Sequence, residues 1–170
     1  MNPTLRQSTF LPTILACTVV LTSVGSTASA VDNDLRLIPQ ITAGTAGVEP
    51  GLALEWRGMD RSALILRPEL FLSEDGDLGG GAAVLYDISD DLDLPKQQAV
   101  AVGPRVVHHN SDQYSWEADA MATWSFDLMG ESRAWQHALG VLGAIGIAHD
   151  KEDDENVLGA SVGIFYSYGF

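Results

Sequence analysis

Three residues carry the types needed for a hydrolytic centre. His109 and Ser111 stand two apart in His109-Asn110-Ser111, and Glu117 follows within the next segment. A serine hydroxyl becomes a nucleophile when an imidazole takes its proton, and a carboxylate on the other ring nitrogen steadies that imidazole. The three could therefore cleave an ester if the fold brought them within hydrogen-bond reach. The alternative is a polar loop shoulder with no chemistry, since the pattern is only three residues wide.

A second group of candidates is acidic. Glu74-Asp75-Gly76-Asp77 and the run from Asp150 to Glu155 offer oxygen ligands of the kind divalent cations take, but neither has the spacing of a calcium loop. Solvated acidic loops are the expectation there. The sequence holds no Cys/His cluster, phosphate loop or nucleotide fingerprint, so no metal and no cofactor is expected. The whole chain has 9 Lys and Arg against 23 Asp and Glu, a net charge of −14. Phosphate contacts need Lys and Arg, so this balance argues against nucleic acid as a partner.

The elements that must position these residues are strands. Segments of about ten residues alternate between apolar and polar or small side chains, with turn-rich gaps between them, which is the pattern of a transmembrane barrel. The clearest runs from Tyr114 to Leu128. Tyr114, Trp116, Ala118, Ala120, Ala122, Trp124, Phe126 and Leu128 share one face, and Glu117, Asp119, Met121, Thr123 and Asp127 are on the other. Similar segments run from Leu35 to Ala43, Val48 to Arg57, Ser62 to Ser73, Leu78 to Ser89, Gln98 to His109, Ala134 to Ala148 and Val157 to Phe170. The first of these could instead extend the second. The fold expected is all-β, an antiparallel eight-stranded transmembrane up-and-down barrel. Pro68 falls in mid-strand, where a lost ladder donor predicts a bulge.

Residues 1–30 read as a secretory signal, with Arg6, an apolar run from Phe10 to Val24, and the small-x-small site Ala28-Ser29-Ala30. Residues 31–170 form the barrel domain. Cys17, the only cysteine, falls within the signal, so no disulfide is expected in the barrel.

Aromatic residues support the strand count. Trp56, Tyr86, Trp124, Phe126, Trp135, Tyr166, Tyr168 and Phe170 gather at the strand ends nearest the chain termini. Tyr114 and Trp116 lie at the other end. All of these are expected on the apolar face, where an aromatic ring suits a membrane interface. His137 also falls on that face.

The last segment, VLGASVGIFYSYGF, alternates with Phe165 as its one exception. Ser161, Gly163, Tyr166, Tyr168 and Phe170 resemble the carboxy-terminal signal strand of small eight-stranded bacterial outer-membrane barrels of OmpA/OmpX-like architecture. The resemblance implies a Gram-negative cell-envelope protein, exported and then inserted in the outer membrane. It also implies the barrel assembly machinery and outer-membrane lipids as partners, and a monomer. The His109-x-Ser111 spacing is similar to that of the lipid A deacylase barrels, although Asp112 stands where those have Asn.

If the apolar faces meet lipid, the interior receives Glu49, Glu55, Arg57, Arg67, Glu69, Asp87, Arg105, Glu117, Asp119 and Asp127. An eight-stranded barrel is just wide enough for side chains to fill it, so buried charges must pair. Arg67 and Arg105 are expected to neutralise Glu69, Glu117 and Asp119 in a structural network rather than line an ion path. The function expected is a small non-catalytic outer-membrane barrel with a structural or surface-interaction role. A lipid hydrolase and a soluble periplasmic ligand-binding barrel remain as alternatives.

Overall fold

Alternating sequence becomes alternating burial along much of the described strands. A computed structural model describes residues 35–57, 63–110, 113–129 and 137–169, all within one compact unit, Asn33–Phe170. The proposed signal at 1–30, Ser111, Trp135 and Phe170 lie outside the described residues.

Eight strands follow in order: β1 (Leu35–Gly44), β2 (Gly47–Arg57), β3 (Leu64–Leu72), β4 (Leu78–Asp87), β5 (Gln98–His108), β6 (Tyr114–Asp127), β7 (His137–Asp150) and β8 (Glu155–Gly169). Each pairs antiparallel with its sequence neighbours, and β1 also pairs with β8, closing the barrel in the order β1 to β8. Closure removes the free sheet edges that would otherwise recruit other strands. The first strand is separate from the second, joined to it by a turn at Thr45 and Ala46.

The connections differ between the two ends. The end holding Leu35 and Gly169 has connections at 58–63, 88–97 and 128–136. The opposite mouth has tighter ones at 45–46, 73–77, 109–113 and 151–154. Residues 58–62 and 130–136, in two of the connections near the chain termini, and 111–112, in one at the opposite mouth, lie outside the described residues.

Apolar side chains face outward and polar ones inward. Leu70, Val106, Ile145 and Val162 are exposed on the outer wall, while Arg67, Glu69, Arg105 and Asp119 are buried inside it. Every strand also sends an apolar side chain inward. Ile38, Ala53, Ile65, Leu85, Ala101, Met121, Leu142 and Phe165 meet in one cluster. Phe165 breaks the small-residue pattern of its face because it fills this interior. Gly140 opposite makes room, since a Cβ there would stand 2.2 Å from the Phe165 ring. The Arg67 guanidinium lies over the same ring, 5.3 Å from its centroid.

The prolines do not bulge the wall. Pro68 keeps its partner Ala82 on β4, and the β2–β3 register is unshifted. Instead, the β2–β3 pairs that would join Leu54 to Pro68 and Glu55 to Arg67 are missing. In an antiparallel ladder a residue's N–H and C=O point to the same neighbour, so one absent donor opens one side only. Pro104 does the same between β4 and β5, keeping Ala120 on β6.

Among the described residues, the one register shift falls elsewhere, on β6. Tyr114 pairs with Asp150 and Glu117 with Ala148, so three steps on β6 match two on β7. That extra residue reverses the alternation at the strand's start. Tyr114, expected on the outer face, is therefore buried inside, while Trp116 stays outside. Trp135 and Phe170 lie outside the described residues, and several of the remaining aromatics are exposed on the outer wall as expected. Trp56, Tyr86 and Phe126 are each exposed one residue before the end of their strand. The rings of Trp124 and Phe126 lie 4.9 Å apart. His137 shares a hydrogen bond with the Tyr166 hydroxyl.

Candidate functional site

The charged residues of the interior converge because adjacent strands present them in register. Arg105 on β5 stands directly opposite Asp119 on β6. Its Nε and Nη2 donate to the same carboxylate oxygen, Asp119 Oδ2, at 2.9 and 2.6 Å. Glu117, two residues back on the same face, lies 3.9 Å away, and Glu69 on β3 lies 4.0 Å away. Ser161 Oγ accepts from Arg105 at 3.3 Å. Arg67 on β3 donates to Glu55 at 2.6 Å and to the Gln40 side-chain oxygen, and lies 3.5 Å from Glu69. Gln40 in turn donates to Glu69 at 2.9 Å. Nearer the chain termini, Arg57 and Asp87 form a separate pair at 2.7 Å.

This is the network anticipated around Arg67, Glu69, Arg105, Glu117 and Asp119. A glycine on β7 makes room for it. A Cβ on Gly146 would stand 2.7 Å from an Asp119 carboxylate oxygen, so only glycine leaves that space open.

His109 is buried at the top of the network, just past the end of β5. Its Nδ1 lies 3.2 Å from Glu49 and its Nε2 lies 3.2 Å from Glu117. The Phe71 ring is 5.3 Å from the imidazole. Burial alone would lower the imidazole's proton affinity. Hydrogen bonds to Glu117 and Glu49, together with their charges, outweigh it and raise the pKa from 6.5 to about 9. His109 also lines a cleft at the far mouth, together with Thr42, Glu49, Glu69, Arg105, Glu117 and Ser161 among others.

Glu117 does contact the imidazole, as the hydrolase reading requires. The other ring nitrogen is not free, however. A general base needs a lone pair facing the nucleophile, and here both nitrogens face carboxylates. Ser111 lies outside the described residues. Among the described residues, no group of three or more His, Cys, Asp and Glu is placed to hold a metal ion.

Two contacts of the network were not anticipated from sequence. Gln40 joins Arg67 to Glu69, and Glu49, expected inside, meets His109 across the bore. Alternation puts Arg36 and Gln40 on the polar face of β1, and both are buried, but it does not give their partners. The contact of Glu49 with His109 has no local signal.

The chain matches no protein-family model, no curated protein and no solved structure.

Proposed function

We propose that this chain is a small non-catalytic barrel of the bacterial outer membrane, delivered by export, with a structural or surface-interaction role. The observation that carries this reading is the inversion of polarity. The outer wall is apolar on all eight strands and the interior holds the charges. Water-soluble monomers rarely expose contiguous apolar patches beyond a few hundred Å². Lipid is the solvent that suits such a wall, and closed barrels can cross it because every strand is paired. The strand lengths suit a tilted crossing, and the girdle of Trp56, Tyr86, Trp124 and Phe126 suits an interface.

The partners that follow are outer-membrane lipids around the wall and the barrel assembly machinery, which would read β8. A soluble ligand-binding barrel would need its apolar faces inside, where Arg67, Glu69 and Arg105 lie instead. An ion path would need an open bore, whereas Arg67, Leu85, Met121 and Phe165 fill it.

Fractionation of the host envelope tests the reading, combined with refolding of the full chain. The barrel should sediment with outer membrane and fold only with detergent or lipid, with a blue shift of Trp116 and Trp124 emission. A folded monomer in plain buffer would overturn it.

A further inference from the structure

His109 joins three strands at the far mouth. It follows β5 directly, its Nε2 meets Glu117 on β6, and its Nδ1 meets Glu49 on β2. β2 and β5 are three positions apart in a ring of eight, so the Glu49 contact reaches across the bore. The backbone is fixed as well, since the His109 N–H donates to the Ser115 carbonyl at 3.0 Å. A neutral imidazole has one N–H and one lone pair, and can donate to only one carboxylate. Only the imidazolium donates to both.

We propose that His109 is a proton-dependent clasp. The imidazolium ties Glu49 to Glu117 and closes the mouth over the cleft, and loss of its proton releases Glu49 and opens the cleft to solvent.

The surroundings fix the direction of the switch. The charged groups facing the clasp are Glu49 from β2, Glu69 from β3, Arg105 from β5, and Glu117 with Asp119 from β6. β1 and β8 contribute Gln40, Thr42 and Ser161 to the cleft, none of which titrates. Arg105 keeps its charge throughout and stays on Asp119. Without the imidazolium, Glu49 faces Glu117 with no cation between them, and like charges separate. The two carboxylates hold the His109 pKa near 9, so the clasp is closed at neutral pH and opens in alkali.

The test uses the full chain refolded in detergent, with Cys17 changed to Ser and a nitroxide attached at Ala46, a turn residue lining the cleft. Accessibility to a water-soluble nickel chelate is recorded from pH 6 to pH 11. It should be low at neutral pH and rise severalfold with a midpoint near 9. The imidazole resonances of His109 should titrate with the same midpoint. Glu49→Gln removes one carboxylate and should lower that midpoint by ~1 unit or more. His109→Gln should be accessible at every pH, with barrel content verified by circular dichroism. A label indifferent to pH in the parent chain would overturn the clasp. So would an unchanged alkaline transition in His109→Gln, or a His109 that titrates near its ordinary value.

Discussion

The Arg105 guanidinium donates twice to the Asp119 carboxylate, at 2.6 and 2.9 Å, from the position directly opposite on the next strand. Both residues are buried. Such a pair is costly to break, because removing one partner leaves the other charge desolvated. Arg105→Leu should therefore lower the stability of the refolded barrel by about 3–5 kcal/mol. Unfolding in urea, followed by the shift in electrophoretic mobility of the folded barrel, measures it. Arg105→Leu combined with Asp119→Leu should recover part of the loss, and a double variant worse than the sum would contradict the pairing.

His109 gives a pH dependence of defined sign. Its pKa is raised from 6.5 to about 9 in the folded barrel. A group whose affinity for a proton is higher when folded stabilises the fold while that proton is bound. The contribution is complete below pH 6.5, declines as pH rises through the window to about 9, and is gone above it. The melting temperature of the parent chain should fall across this window. His109→Gln, with no ionisation there, should lie lower at pH 6 and stay flat to pH 9. Parallel curves for the two chains would count against the assignment.

The faces of the strands were readable from sequence because side chains alternate strictly in a sheet. Arg67, Glu69, Arg105, Glu117 and Asp119 could be placed inside on that ground alone, and adjacent strands made their pairing a short step. Two things were not readable. A bulge inserts one residue without a composition signal, and the one in β6 sent Tyr114 inward against its parity. Contacts across the bore, such as Glu49 with His109, depend on the relative offset of strands far apart in sequence, which alternation does not encode. Pro68 illustrates the reverse case. Its residue type was visible, but the wall absorbed the lost donor on one side without a register shift.

The carboxy-terminal strand closes the ring. Tyr168 pairs with Leu37 on β1 and with His137 on β7, and Tyr166 pairs with Leu139. Deleting residues 168–170 removes the pairs that join the starts of β1 and β7 to β8. It also removes the terminal part of the proposed assembly signal, which includes Ser161, Gly163, Tyr166, Tyr168 and Phe170. Export of this truncation should continue while its heat-modifiable, folded form in the outer-membrane fraction drops severalfold. Equal amounts of folded barrel from the truncated and full chains would refute a role for these residues in closure.

Ala122 and Thr123 are neighbours in β6 that decide which solvent the wall meets. Ala122 is exposed on the outer face between Ala120 and Trp124, while Thr123 is buried inside. If lipid surrounds the barrel, Ala122→Arg places a cation near the bilayer midplane and should destabilise the fold by about 2–4 kcal/mol. In water the same substitution on an exposed strand position would be close to neutral, within about 0.5 kcal/mol. Ala122→Ser controls for the loss of the alanine methyl and should be mild in either solvent. A spin label at position 122 gives a second readout that does not depend on stability. Oxygen, which partitions into lipid, should relax it more strongly than a water-soluble nickel chelate, and the ratio should reverse for a label at Glu155, at the exposed start of β8 beyond the wall. If Ala122→Arg leaves the unfolding curve unchanged and the label at 122 responds only to the chelate, then the outer wall faces water and the membrane reading fails.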